Sequence, residues 1–359
     1  MFTVNKPTSG KLKIGFLWLG TPGYLINCVG KLASEVDRIV LFYVDGILPN
    51  DILANYSKYI IEKKIELVDI SKSSAFEVKN MISRNNCNVL IICGWHYKKF
   101  MRSLRDFSGI KILTLDNQWK GNARQIWGKF YGRFYLKRKF HAVFVPGVRS
   151  REFAMKIGFA KSDIYEGLYV ANNKIFKAKN SQTKSDFLFP GRLVAEKNVD
   201  ELLRGYEEYR KLVVNPWNLK IAGWGPLEKK LKNTQGIKYL GKLSQLEMAK
   251  EMKRSKFTIL PSRAERWGVV IQESVLSGTP VICSEECGAA DYFVIDKVSG
   301  YVLKNPNFQN IATALHDAHM QKDSEYESMS KSCIEIATCF TPEKWSQTII
   351  KIVNEHSNR

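Results

Sequence analysis

Short apolar runs closed by glycine or proline alternate with polar, helix-forming stretches along almost the whole chain, and this rhythm leaves few folds open. In the first half the runs are KLKIGFLWLG (11–20), DRIVLFYV (37–44), IELVDI (65–70), NVLIICGW (88–95), KILTLDNQW (111–119), AVFVPG (142–147) and DIYEGLY (163–169). Strands that alternate with helices pair in parallel, because each crossover returns the chain to the same edge. Every loop leaving a strand then opens on one edge of the sheet, where such sheets bind ligands. The rhythm resumes at 187 after KIFKAKNSQTKSD (174–186), a polar stretch without period that reads as an interdomain linker. Two α/β domains are expected, 1–175 and 185–341, and 359 residues suffice for both. PEKWSQTIIKIVNEH (342–356) reads as a last helix.

The second block carries the clearer chemistry. In FLFPGRLVAEKN (187–198) a strand passes through Pro190-Gly191 into a helix starting near Asn198, which has capping-box spacing to Glu201. Arg192 and Lys197 stand at that helix start. Together they make an anion site, the guanidinium gripping a phosphate in two places and the ammonium acting as a point charge. LKIAGWGPLEKKL (219–231) ends a strand in Gly223-Trp224-Gly225-Pro226 before another helix, and IKYLGKLSQLEMAKEM (237–252) repeats the unit. Next, FTILPS (257–262) leads into AERWGVVIQES (264–274). Glu265 precedes the turn there, and Glu273, eight positions on, is expected about two turns into the helix. The unpaired N–H groups and partial positive charge of a helix N-terminus suit a phosphate, so the two carboxylates would bracket a phosphorylated ligand. Two solvated glutamates beside an ordinary strand–helix junction are the plainer alternative.

GRLVAEKN, AGWGPLEKKL, YLGKLSQLEM and LPSRAERWGVVIQESVLSGTPVICSEECGAA, in that order over 187–290, resemble the retaining GT-B glycosyltransferases of the large fourth glycosyltransferase family. The resemblance implies two Rossmann-like parallel-sheet domains facing across a cleft, with the final helix (342–359) crossing back onto the first. It implies a nucleotide-diphosphate sugar, UDP- or GDP-linked, as donor. Arg192 and Lys197 would hold the diphosphate, and main-chain amides of Arg266, Trp267, Gly268 and Val269 would cap the distal phosphate. Glu265 would contact the transferred sugar and Glu273 the ribose, while Gly223 and Leu243 would line the base slot. Gly20 and Gly23, in the loop after the first strand, would lie on the donor phosphates' opposite side. Relatives carry a histidine after the strand matching KILTL; this chain has Asp116-Asn117 there. Asp116 is then a candidate base or hydroxyl partner, Asn117 and His96 are acceptor candidates, and an Asx turn is the structural alternative for Asp116. No cofactor or metal is expected: the cations and helix end would stabilise the leaving diphosphate, and no DxD motif has a suitable context.

Charge narrows the partners. Of a net +20, residues 1–180 carry +17 (30 Lys+Arg against 13 Asp+Glu). The segment 119–141, WKGNARQIWGKFYGRFYLKRKFH, has seven Lys/Arg, seven aromatics and no acid. That composition suits an anionic membrane surface. It also fits a single-stranded nucleic-acid groove, or an ordinary amphipathic helix whose aromatics fill the core. Nucleic acid is not the expected partner, because no nucleic-acid module appears elsewhere. The expected acceptor is a glycan or a polyprenyl- or lipid-linked glycan of polysaccharide or lipopolysaccharide synthesis. Residues 1–13 are polar and lysine-bearing, and no apolar stretch approaches the roughly 20 residues of a membrane span. A cytoplasmic enzyme, peripheral on the inner membrane face, is therefore expected. Seven cysteines without a CxxC pair fit reduced thiols, and Cys283 and Cys287 lack histidines at zinc-ligand spacing. The competing readings are a basic nucleic-acid- or membrane-binding protein without transferase activity, or another GT-B enzyme, a phosphorylase or an epimerase.

Overall fold

The computed structural model describes residues 12–20, 22–44, 62, 64–178 and 185–357, which form two compact units: Met1–Val170 with Pro342–Arg359, and Ala171–Thr341. In the first unit all seven apolar runs are strands: β1 (Lys13–Leu19), β2 (Arg38–Val44), β3 (Ile65–Asp69), β4 (Val89–Ile92), β5 (Ile110–Thr114), β6 (Ala142–Val145) and β7 (Ile164–Glu166). They pair in parallel in the order β3-β2-β1-β4-β5-β6-β7. The central strands are buried along nearly their whole length, so both their faces are apolar. Helices α1 (Gly23–Ala33), α2 (Ala75–Arg84), α3 (Lys98–Ser103), α4 (Ala123–Tyr131) and α5 (Val148–Lys156) follow their strands. In α2 a capping box closes the first turn: the Ser74 hydroxyl accepts from Glu77 N, and the Glu77 carboxylate accepts from Ser74 N.

The C-terminal helix Pro342–Ser357 belongs to this first unit. Its Trp345 is fully buried, stacks on Phe16 at 6.3 Å and donates from Nε1 to the Leu168 carbonyl at 3.0 Å. Ile349, Ile352 and Val353 follow on the same buried face, at the spacing a helix needs to cover a sheet.

The second unit holds β8 (Ser185–Pro190), β9 (Leu219–Ala222), β10 (Ile237–Gly241), β11 (Ser255–Leu260), β12 (Val281–Ser284) and β13 (Gly300–Leu303). Their parallel order is β10-β9-β8-β11-β12-β13. Its helices include α6 (Asn173–Phe176), α7 (Val199–Leu212), α8 (Gln245–Arg254), α9 (Val269–Leu276), α10 (Phe308–Met320) and α11 (Asp323–Ile336). Phe176, Leu188, Ala222, Ala249 and Met252 form a core cluster beneath the loops at the strand ends.

Four sequence expectations change. The second unit begins at Ala171, and α6 is anchored in it: Phe176 is fully buried, its carbonyl accepts from the Ser277 hydroxyl, and Ala178 N donates to the Leu276 carbonyl. Residues 179–184 of the expected linker lie outside the described residues. Residues 226–233 wind as a 3-10 helix, not an α-helix. The Asn198–Glu201 capping box does not form. Asn198 sits in the left-handed region (φ 59°), where its side chain donates to the Pro306 carbonyl and accepts from Arg263, while Glu201 accepts from Phe308 N. Finally, Glu273 is the fifth residue of α9 and so little more than one turn into it.

Candidate functional site

The residues singled out in the second block follow β8, β9, β10 and β11, which are neighbours in one parallel sheet. Their loops therefore leave the same edge. The order of strands reverses at β8: β9 and β10 extend the sheet one way and β11 the other, which is the topological switch point where open α/β sheets bind ligands. Arg192 and Lys197 leave β8, and Glu265 leaves β11, on the two sides of that point.

There, the Lys197 ammonium donates to the Glu265 carboxylate. Both side chains are mostly buried, 13% and 17% exposed, so this is a low-dielectric ion pair rather than a surface one. Burial pulls the Lys197 pKa below the usual lysine value, and the nearby Arg192 guanidinium adds to the effect. Arg192 itself is exposed. The main chain between Glu265 and α9 is pinned from behind: Gly288 N donates to the Glu265 carbonyl and Ala289 N to the Trp267 carbonyl. Gly268 caps α9 with φ 90°, a conformation side chains rarely adopt, and the Glu265 side chain lies directly over it. The N–H groups of Gly268, Val269 and Val270 have no acceptor among the described residues. An ammonium paired with a carboxylate, a guanidinium near that ammonium and an open helix N-terminus beside the carboxylate thus lie together, an arrangement suited to a dianion.

The Trp267 indole is not part of that array. It is 4% exposed and packs among Tyr292, Phe293 and Phe340 at 5.5 to 6.2 Å, so only its main chain faces the turn. Arg266 is exposed. Glu273 is half-buried, its carboxyl has no hydrogen-bond or ion-pair partner among the described residues, and burial pushes its pKa up to about 7. Gly223 is required by contact: a Cβ there would lie 1.8 Å from the Gly191 carbonyl oxygen, because the β8 and β9 loops touch. Leu243 and Val270 both pack on the Phe176–Leu188–Ala222 cluster, which puts the β10 loop beside the start of α9.

At the corresponding edge of the first sheet, β1 and β4 flank the switch point. Gly20 has φ 72° and donates from N to the Val44 carbonyl, and Gly23 opens α1; Thr21 between them lies outside the described residues. His96 is exposed after β4, edge-on to Trp95. Beyond β5, Asn117 accepts from Trp95 Nε1 at 3.4 Å, and Asp116 accepts from the Tyr169 hydroxyl at 3.3 Å. Tyr169 packs edge-on against Tyr24 at 4.9 Å. Burial raises both phenol pKa values, with Asp116 adding to each, so both stay protonated donors. Sequence reasoning missed Tyr24 and Tyr169; the position of Tyr24 directly after the glycine loop was the available signal. It also missed Gln272, whose buried amide accepts from Ala171 N and donates to the Phe340 carbonyl, tying both ends of the second unit to α9.

Among the described residues no group of three His, Cys, Asp or Glu is placed to hold a metal ion, and no helix is long and apolar enough to cross a membrane.

Residues 171–337, nearly the whole of the second unit, match the family model described as glycosyl transferases group 1. An uncharacterised glycosyltransferase of Methanocaldococcus jannaschii is 28% identical over 181 residues, 48% of each chain. The chain spans less than half the length of the curated relatives it matches. Among solved structures, a glycosyltransferase from Rickettsia africae has a TM-score of 0.77 at 12% identity, covering 97% of this chain and 99% of that one. Anabaena HepE, solved with UDP and glucose, has a TM-score of 0.73 at 14% identity over 96% and 100%. The chain has the GT-B fold of two parallel-sheet α/β domains.

Proposed function

We propose that this chain is a retaining, metal-independent glycosyltransferase that moves a sugar from a nucleoside-diphosphate donor to a glycan or lipid-linked acceptor in cell-surface polysaccharide or lipopolysaccharide synthesis. The carrying observation is the array at the second sheet's switch point, where Lys197 pairs with Glu265, Arg192 lies near Lys197 and α9 opens its N-terminus beside the carboxylate. In this reading Arg192, Lys197 and the amides after Arg266 hold the diphosphate. Glu265 accepts from hydroxyls of the sugar, Glu273 accepts from the ribose, and Gly223 and Leu243 border the base. The Anabaena neighbour's complex with UDP and glucose supports UDP ahead of GDP.

Transfer then proceeds by attack of an acceptor oxygen on the anomeric carbon from the face the phosphate leaves. The bond from that carbon to the phosphate oxygen breaks, the new glycosidic bond forms, and the acceptor proton passes to the departing phosphate oxygen. The two cations and the helix N-terminus stabilise the charge that grows on the diphosphate. Acceptor selection is assigned to the first unit, whose strand ends carry His96, Asp116 and Asn117. The basic balance of residues 1–180 supports an anionic, lipid-linked acceptor.

The test is a thermal-shift screen of nucleoside diphosphates followed by sugar transfer from the best-binding class. A ligand at 100 times its dissociation constant adds about 2.7 kcal/mol, easily seen as a melting shift. UDP or GDP is expected to stabilise the wild type, and Lys197→Ala to lose that shift while staying folded. The proposal fails if neither nucleotide stabilises the protein, or if Lys197→Ala transfers sugar at the wild-type rate.

A further inference from the structure

Of the seven aromatic residues of 119–141, Phe140 is buried in the core and Trp119 packs against it, but the other five stand exposed. Ile126, Trp127, Phe130 and Phe134 are 49%, 75%, 60% and 58% exposed. The helix that carries them explains how so many stay together. After α4 the backbone shifts to a π turn over Gly132–Leu136, with Lys137 N bonded to the Gly132 carbonyl. Bonding to the fifth residue back winds the chain less tightly than an α-helix. Residues four apart, which drift around an α-helix, are thereby brought back into line.

That winding sorts the segment into rows. Gly132 and Leu136 are buried, and Gly132 is required there because a Cβ would lie 2.5 Å from the Ile157 side chain. Two positions away, on the far side of the helix, Ile126, Phe130 and Phe134 form an exposed apolar row. Trp127 and Tyr135 stand in the row beside it. Lys129, Arg133 and Lys137 line the opposite flank, all exposed. No acidic residue interrupts 119–141.

We infer that this face docks on an anionic lipid surface, the apolar row entering the headgroup–acyl boundary and the cations meeting the headgroups. Charge selects the occupant. A second copy of this chain would bring the same cations against them, and residues 1–180 already carry +17. Single-stranded nucleic acid calls for a basic groove with aromatics set within it. Here the aromatics stand outermost on a convex helix face.

The test is flotation of the full chain with vesicles of phosphatidylcholine alone or mixed with phosphatidylglycerol, at low and high salt. Binding to the anionic vesicles is expected at least tenfold tighter than to the neutral ones. Lys129→Gln/Arg133→Gln/Lys137→Gln is expected to weaken it about 100-fold, from the worth of three cations near the surface. Trp127→Ser/Phe130→Ser/Phe134→Ser is expected to abolish the part that survives high salt. Both variants change exposed side chains and are expected to melt with the wild type. Equal partitioning of the wild type and both variants would overturn the inference. So would variants that leave vesicle binding intact but lose self-association or binding to a single-stranded oligonucleotide.

Discussion

The Lys197 ammonium is paired with Glu265, so a diphosphate arriving at Lys197 must displace a carboxylate. This makes a prediction with an unusual sign: Glu265→Gln binds the bare nucleotide more tightly than the wild type does. Two unit charges about 4 Å apart attract by about 4 kcal/mol at an effective dielectric of 20, and desolvation offsets part of that. A hydrogen bond to a charged group contributes about 1.5–3 kcal/mol net, a fair measure of what the incoming phosphate must replace. Glutamine keeps the shape and one acceptor but removes the charge. The dissociation constant for UDP, or for GDP if that is the nucleotide bound, should therefore fall roughly 10- to 100-fold.

Two controls follow from the geometry. The nucleotide sugar should gain less than the bare nucleotide, because Glu265 is also assigned to the sugar hydroxyls, and transfer should drop sharply. In the Lys197→Ala background the Glu265→Gln gain should vanish, since the competition it relieves is gone. The unliganded variant should also lose about 1–2 kcal/mol of stability, because Lys197 is left mostly buried without its counter-charge. Titration calorimetry of wild type, both single variants and the double variant decides the matter. Unchanged or weaker nucleotide binding by Glu265→Gln would refute the competition argument.

Glu273 gives a pH prediction. Its folded pKa, about 7, is raised above the unfolded value, so the folded state holds its proton longer and stability falls as pH rises from about 4.5 through 7. Glu273→Gln should flatten that fall in a pH series of melting temperatures; an unaltered slope would remove the effect from Glu273. If ribose hydroxyls donate to its carboxylate, nucleotide affinity should rise through pH 7 with proton release, detectable as buffer-dependent binding heat, and Glu273→Gln should bind independently of pH there. Gly223→Ala forces a methyl onto the Gly191 carbonyl and should cost upwards of about 2 kcal/mol together with nucleotide binding; a wild-type melting temperature would count against the contact. Prolonged chelation should leave transfer unchanged, and loss of activity restored by Mg²⁺ or Mn²⁺ would disprove the assignment of diphosphate stabilisation to Arg192, Lys197 and α9.

How much was legible follows from what a local pattern can encode. Burial on both faces of a central parallel strand writes a run such as KIGFLWL or VLII, and the alternation those runs set made the part-exposed edge strand β3 readable with them. The site loops could be read too, because a helix start, a glycine and a cation lie within a few residues of one another. Partners distant in the chain could not. Asn198 has the composition and spacing of a cap, yet its side chain bonds Pro306 and Arg263, 108 and 65 residues away, and the left-handed backbone follows those bonds. Asp116 looks like the end of a strand until Tyr169, 53 residues on, donates to it. The aromatic helix fails in a third way. Period alone makes Phe130 and Phe134 a candidate core stripe, and only the burial of Gly132 and Leu136 shows that the bulky face points outward. Gly132 alone marks the side that packs, since a Cβ there would lie 2.5 Å from the Ile157 side chain, whereas a Cβ at Gly128 would meet nothing within 4 Å; which glycine is confined depends on a residue 25 positions on, which no local pattern encodes.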